Sequence, residues 1–170
     1  MVLWKGCMRM CAYAIRPAGE GDLPGMLEVY NSNPAFLQSH LGRGAVDEAF
    51  LRREMQAAAA GGFLSWVGVK EPGGALVGVL DYRPREPVYL SLMMLHRACQ
   101  GTGAGARVYA LFEKEMARLQ RRAIRMDVVY DYPGNAVAFW QRQGFAPRGE
   151  VALHWGGKTS PALVMVKDLP

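Results

Sequence analysis

The chain has 170 residues, 51% of them hydrophobic and 21% charged, with a formal net charge of +5. That make-up belongs to one globular domain able to bury a core, and it excludes a disordered chain. No apolar run reaches the length of a membrane span, and the stretch from Met1 to Cys7 is too short and interrupted for a secretion signal, so a cytoplasmic protein without membrane contact is expected.

Residues 1–11 form an extension ahead of the fold, and Met8 or Met10 would serve equally well as a start for the single domain expected over 12–170. Cys7 and Cys11 look like half a metal site, but no second half follows. No metal is expected, and together with Cys99 they make three reduced thiols rather than a disulfide framework. The basic residues, among them Arg52, Arg53, Arg83, Arg85, Arg118, Arg121 and Arg122, are scattered, and no helix gathers them with interleaved aromatics. Nucleic acid is therefore not an expected partner, whereas a phosphorylated small molecule suits the same charge.

Ala12 to Arg16 is predicted as a first strand, closed by Pro17. Asp22 is placed to cap a helix that carries Pro24 in its first turn and Leu23, Met26, Leu27 and Tyr30 at helical spacing. Asn31-Ser32-Asn33-Pro34 stops that helix and, with Ala35 and Phe36, is expected to form a loop. A second helix is predicted from about Val46 to Ala60, with Phe50, Leu51 and Met55 on one side and Gly61-Gly62 at its end. Phe63 to Val69 and Ala75 to Tyr82 make a hairpin around Pro72-Gly73-Gly74, and the apolar run Val88 to Leu95 suggests a strand buried on both faces.

A glycine-rich loop then leads into a long helix, in which Val108, Leu111, Phe112, Met116 and Leu119 hold helical spacing. Ile124 to Tyr130 is another strand, Pro133-Gly134 breaks the chain, and a short helix runs from about Asn135 to Gln143. Val151 to Trp155 and Ala162 to Lys167 form a last hairpin turning at Gly156-Gly157. The expected order is β-α-α-β-β-β-α-β-α-β-β, an α/β domain with one mixed sheet.

Gln100-Gly101-Thr102-Gly103-Ala104-Gly105 lies between the buried strand and the start of the long helix. The first N–H groups of a helix lack internal partners and sit at the positive end of its dipole. Glycines let such groups approach a ligand closely, so the segment is expected to cradle a pyrophosphate. The Walker pattern fails for want of a following Gly-Lys-Ser/Thr. Gly101 to Ala106 fits the dinucleotide G-x-G-x-x-A pattern literally, but five residues separate strand and first glycine, and Asp127 lies inside its strand rather than at the end where a ribose would be gripped.

With these residues the chain resembles the GNAT superfamily of N-acetyltransferases. Gln100, Gly103 and Gly105 match that family's Gln/Arg-x-x-Gly-x-Gly/Ala loop, the apolar strand ends a few residues before the glutamine, and Trp140 to Phe145 matches an aromatic-x-x-x-Gly-Phe signature. The resemblance implies a fold running from Ala12 to the end, acetyl-CoA as cosubstrate, an amine acceptor and direct transfer without an acyl-enzyme. It also implies that Met93, Met94 and Leu95 line the pantetheine arm, with backbone groups of Met93 and Leu95 pairing to it. The amides of Gln100, Gly101, Thr102, Gly103, Ala104, Gly105 and Ala106 would hold the pyrophosphate. Asn135, Phe139 and Trp140 would flank the pantetheine and its sulfur.

The family often dimerises, so a homodimer is a further expectation. Trp140 stands where many members carry a proton-donating tyrosine, leaving Tyr130 or Tyr132 as substitutes, and Asn135 is displaced by two positions, with Pro133 in the usual asparagine place. For a general base, Asp81 and Glu86 on either side of a turn are the candidates, with His96 third. Cys99 has no evident partner base. Asn31 to Phe36 and Tyr82 to Arg85 are the expected walls of the acceptor site. Two other readings stand beside this one: a non-catalytic acyl-CoA-binding domain and a nicotinamide-dependent oxidoreductase.

Overall fold

A computed structural model describes residues 12–170, so the extension, Cys7 and Cys11 lie outside the described residues. In chain order the elements are β1 (Ala12–Pro17), α1 (Leu23–Asn31), α2 (Pro34–Leu41), α3 (Glu48–Ala60), β2 (Leu64–Glu71), β3 (Ala75–Arg83), β4 (Val88–Leu95), α4 (Ala104–Arg118), β5 (Ala123–Val129), α5 (Val137–Arg142), β6 (Ala146–Trp155) and β7 (Lys158–Asp168). The seven strands make one mixed sheet in the order β1-β2-β3-β4-β5-β7-β6, antiparallel except for the β4–β5 pair.

Two cores sandwich this sheet. On one face Val108, Phe112 and Met116 of α4 meet Leu80, Leu90, Ile124, Met126 and Met165. On the other, Met26, Val29 and Leu37 of α1 and α2, with Phe50 and Leu51 of α3, meet Val67, Val79 and Met94. Side chains alternate across each strand, so β3 and β4 contribute to both layers and are buried on both sides, as the continuous apolar run of β4 implied. No helix among the described residues is long and apolar enough to cross a membrane.

Three differences from the sequence expectation have physical causes. A third helix, α2, occupies the segment expected to be a loop. Proline disfavours helix in the residue before it but suits the first position of a new one, and Asn33 at φ −119°, ψ 57° breaks the chain between the two helices. Gly42, at φ 70°, then terminates α2 in the left-handed region. Asp22 precedes α1 but does not cap it with its side chain. Its carboxylate instead accepts from Gly19 N at 2.8 Å and from the Arg16 guanidinium at 2.7 and 2.8 Å, which holds it down at about pKa 2, the Arg16 hydrogen bond being the main cause. Finally, β6 starts at Ala146 rather than Val151, with a bulge near Pro147 and Gly149 absorbing the residues that obscured its period.

Candidate active site

The site is organised by a defect in the sheet. Parallel strands β4 and β5 pair only at Val88–Ile124 and Tyr89–Arg125, and then part towards their carboxyl ends. The cause lies partly in β4 itself. Asp81 of β3 faces Leu92 and Tyr82 faces Leu90, so Ser91 is an extra residue, and its Oγ donates to the Asp81 carbonyl at 3.1 Å. Such a bulge bends and twists its strand, and here it shifts the side-chain alternation by one.

Beyond the bulge, His96 N–H donates to the Val77 carbonyl at 2.8 Å. Backbone direction alternates along an antiparallel ladder, so Met94 points its N–H and C=O towards β3, whereas the N–H and C=O of Met93 and the N–H of Leu95 point away from it, the Leu95 carbonyl being taken by Asn33 and Gln100. Met94 therefore departs from the expected pantetheine wall: its backbone is paired and its side chain lies in the α1–α3 core.

The glycine segment closes the top of the gap. Arg97–Cys99 makes a single 3-10 turn, with His96 Nδ1 accepting from Ala98 N at 3.2 Å, so the imidazole is engaged within the loop. Gly101 and Gly103 take φ of 72° and 82°, values that a side chain would strain, and Thr102 Oγ1 donates to the Cys99 carbonyl at 2.7 Å. The bond from Arg107 N–H to the Gly103 carbonyl, 3.2 Å, opens the 15-residue helix α4. The N–H groups of Ala104, Gly105 and Ala106 consequently have no acceptor within the helix and sit at its positive end.

The loop is pinned from behind. Gln100 Nε2 donates to Asn33 Oδ1 at 2.7 Å and lies 3.2 Å from the Leu95 carbonyl, while Asn33 Nδ2 donates to the carbonyls of Leu95 at 2.9 Å and Val29 at 2.8 Å. Asn33, only 6% exposed, is thus a structural pin of the cradle rather than part of an acceptor wall. Its neighbour Ser32 reinforces the link, accepting from Arg97 N at 3.0 Å.

The α5 region divides its labour differently from expectation. Phe139 leans on Gly105, where an added Cβ would lie 3.4 Å from the ring. Trp140 is core: 7% exposed, edge-on to Tyr109 at 5.3 Å and close to Phe145 at 5.5 Å. Asn135 donates to the carbonyls of Tyr130 (3.0 Å) and Tyr132 (3.2 Å) and accepts from Val137 N, so its amide shapes the β5–α5 loop. Cys99 is a free thiol packed against the α4-side core.

Below the bulge, on the α1–α3 face, lies a cavity of about 350 Å³ whose walls include Tyr30, Glu54, Phe63, Asp81, Tyr89 and Trp155. Asp81 lies near the end of β3, in the strand expected to contain it, but its side chain is not a solvated turn carboxylate: its Oδ1 is buried without a hydrogen-bond partner. Burial raises its carboxyl to about 6, the Ser65 hydrogen bond opposing this and the Glu54 charge adding to it. Tyr30 is pushed well up by burial, with Asp81 and Glu54 contributing. Trp155, from the far edge of the sheet, reaches over the gap and donates Nε1–H to Glu54 Oε2 at 2.7 Å.

Tyr132 stands edge-on to His40 at 5.3 Å, in the aromatic cluster of Phe36, His40 and Trp155 that borders the cavity. Its phenol is raised by burial and by Asp131. That of Tyr130 is raised by desolvation and by Glu150. Glu86 is elsewhere: its carboxylate accepts from Arg122 N at 3.2 Å and Ala123 N at 3.0 Å, bracing the start of β5 at the opposite end of β4 from the glycine loop.

Glu54, Tyr30 and Trp155 escaped the sequence reading. Glu54 had a signal, since an acid between Leu51, Met55 and Ala58 falls on the buried stripe of α3. Trp155 had none, because only the topology brings it to α3.

The arrangement offers an anion cradle, an unpaired strand edge and a carboxylate with a neighbouring phenol. Comparisons with known proteins bear on the family and the fold that carry this arrangement. The profile of a family described as "Acetyltransferase (GNAT) domain" matches residues 38–156. No curated protein sequence matches the chain. Among solved structures, an acetyl transferase from Salmonella typhimurium that modifies the N-terminal serine of ribosomal subunit protein L7/L12 is 19% identical, with TM-score 0.76 over 93% of this chain and 95% of that one. An acetyltransferase from Thermus thermophilus is 23% identical, TM-score 0.72, over 93% of this chain and 97% of that one. Another from Salmonella typhimurium, solved with its cofactor acetyl-CoA, is 18% identical, TM-score 0.65, over 94% and 95%. At these identities the structures testify to the fold.

Proposed function

The chain belongs to the GNAT acetyltransferase family, and from that premise we propose that it moves the acetyl group of acetyl-CoA onto a primary amine by direct attack. The observation that carries the reading is the gap beside β4 with the glycine cradle at its head. A strand edge that has lost its β5 partner and helix-end amides without an acceptor in their own helix suit a ligand that is an extended amide chain at one end and a pyrophosphate at the other.

Acetyl-CoA held there would supply a thioester-activated acetyl group. The protein's own residues would do the rest. The N–H of Met93 or Leu95 faces the gap and is available to an oxyanion. Asp81, ionised above about pH 6, would take a proton from the ammonium directly or through one water, freeing the nitrogen lone pair to form the new C–N bond. Tyr132 would keep its proton at neutral pH and could return one to the departing sulfur. Trp140, buried in the core, has no part in proton transfer.

A non-catalytic acyl-CoA-binding domain is the competing reading, and the buried, unpartnered Asp81 oxygen speaks against it, since a binding scaffold has no need of that destabilising feature. Thiol release from acetyl-CoA by the purified chain, with and without a panel of amines, decides between them. Amine-dependent release is expected. Binding of acetyl-CoA without any release would leave only the scaffold, and failure to bind it would remove both readings.

A further inference from the structure

Glu54 of α3 and Asp81 of β3 enter the same cavity from elements that are neighbours only in space. Among the described residues neither is ion-paired with a lysine, arginine or histidine. The Asp81 Oδ1 atom is buried with nothing bonded to it. A buried carboxylate oxygen without a partner is costly, and the cost falls away when a cation fills the space before it. Most of the remaining wall is hydrophobic, with Met26, Leu51, Phe63, Leu92 and Trp155 in it, and Tyr30, Tyr89, Ser91 and His154 add polar atoms. Trp155 is held in place by its bond to Glu54, so the acidic end and the aromatic wall are positioned together.

We propose that the acceptor is a small, carboxylate-free primary ammonium with an apolar, ring-sized body, seated with its nitrogen between Glu54 and Asp81 and its ring against Phe63, Tyr89 and Trp155. This rests on the acetyl-transfer reading and narrows its acceptor class. Size agrees, because about 350 Å³ lies at the small end of the roughly 300–1,000 Å³ typical of small-molecule sites. Charge agrees too: an α-amino acid would bring its own carboxylate against two others, and that like-charge contact is unfavourable. Glu54 would bind and orient the ammonium, and Asp81 would accept its proton.

The test uses 2-phenylethylamine, phenylalanine and a short serine-initiated peptide as probes. Binding of each is measured by calorimetry without acetyl-CoA, and initial rates are measured with it, for wild type and Glu54→Gln. Glutamine retains an oxygen for the Trp155 indole, and thermal melting checks that the variant is folded. Expected is a KM for 2-phenylethylamine at least about tenfold below the other two. Glu54→Gln should raise both Kd and KM for this amine about tenfold while leaving acetyl-CoA affinity within about twofold. Equal or better use of phenylalanine or the peptide, or an unchanged Kd in Glu54→Gln, overturns the inference while acetyl transfer stands. Tight binding of 2-phenylethylamine that weakens in Glu54→Gln, with no acetyl transfer to any probe, would leave an ammonium site in the cavity but overturn the acetyl-transfer reading and with it the amine's role as acceptor.

Discussion

The donor half of the site is made of backbone and the acceptor half of side chains. The cradle consists of the α4 amides, two left-handed glycines and the open edge of β4. The cavity consists of a tyrosine from α1, an acid from α3, an acid from β3 and an indole from β6. A backbone site needs few specified residues, chiefly glycines where φ is positive, and those lie together in the chain. A side-chain site can be assembled from positions a hundred residues apart, as Glu54 and Trp155 are. The first kind of site suits a ligand that stays the same across a family, and the second suits one that changes.

If the two halves are separate devices, they should break separately. The largest effect is expected at Asp81. Asp81→Asn removes the proposed base and should lower kcat by about a hundredfold or more, with acetyl-CoA affinity unchanged. It should also stabilise the protein. The folded Asp81 binds its proton more tightly than the unfolded one, so its contribution to stability is fully present below about pH 3.8 and is lost as pH rises through about 6. Thermal melting should therefore place Asp81→Asn above wild type at pH 7.5, and the gap should close between pH 6 and pH 4. A variant that is less active and less stable at pH 7.5 would make Asp81 a structural residue.

Asn33→Ala comes next. It leaves the Gln100 amide and the buried Leu95 carbonyl short of partners, at a cost of about 1–3 kcal/mol to stability. The loosened loop should raise the KM for acetyl-CoA about tenfold while the Kd for 2-phenylethylamine holds. Loss of amine binding instead would show that the halves are coupled through α1 and α2.

The smallest effect lies inside the acceptor half. The amine-dependent kcat/KM should fall below pH 6 as Asp81 takes up a proton. In Glu54→Gln that limb should move to lower pH, because the charge that helps hold the Asp81 value up is gone. A limb that stays in place would separate the two carboxylates.

The same division explains what was legible in the sequence. The α4 stripe, the β2–β3 hairpin and the glycine loop are local patterns, each carried by residues within a few turns of one another, and each appears where its period or its glycines put it. Helix α2 was hidden because Pro34 signals both an end and a beginning. Trp140 matched a motif yet lies in the core, since a sequence pattern fixes the α5–β6 packing without saying which way a ring faces. Glu86 and Asp81 looked alike as acids flanking a turn. The bulge at Ser91 and the burial of β3 set them apart, and neither is visible in composition or spacing.

Whether a backbone cradle at Gly103 holds the donor independently of the cavity can be read from one calorimetric comparison. Gly103→Val forces a β-branched side chain into the left-handed region at the head of α4 and disturbs the amide array. Acetyl-CoA affinity should fall at least about a hundredfold, and 2-phenylethylamine should bind as it does to wild type. Unchanged acetyl-CoA affinity in a folded Gly103→Val protein would mean that the α4 amides do not hold the donor.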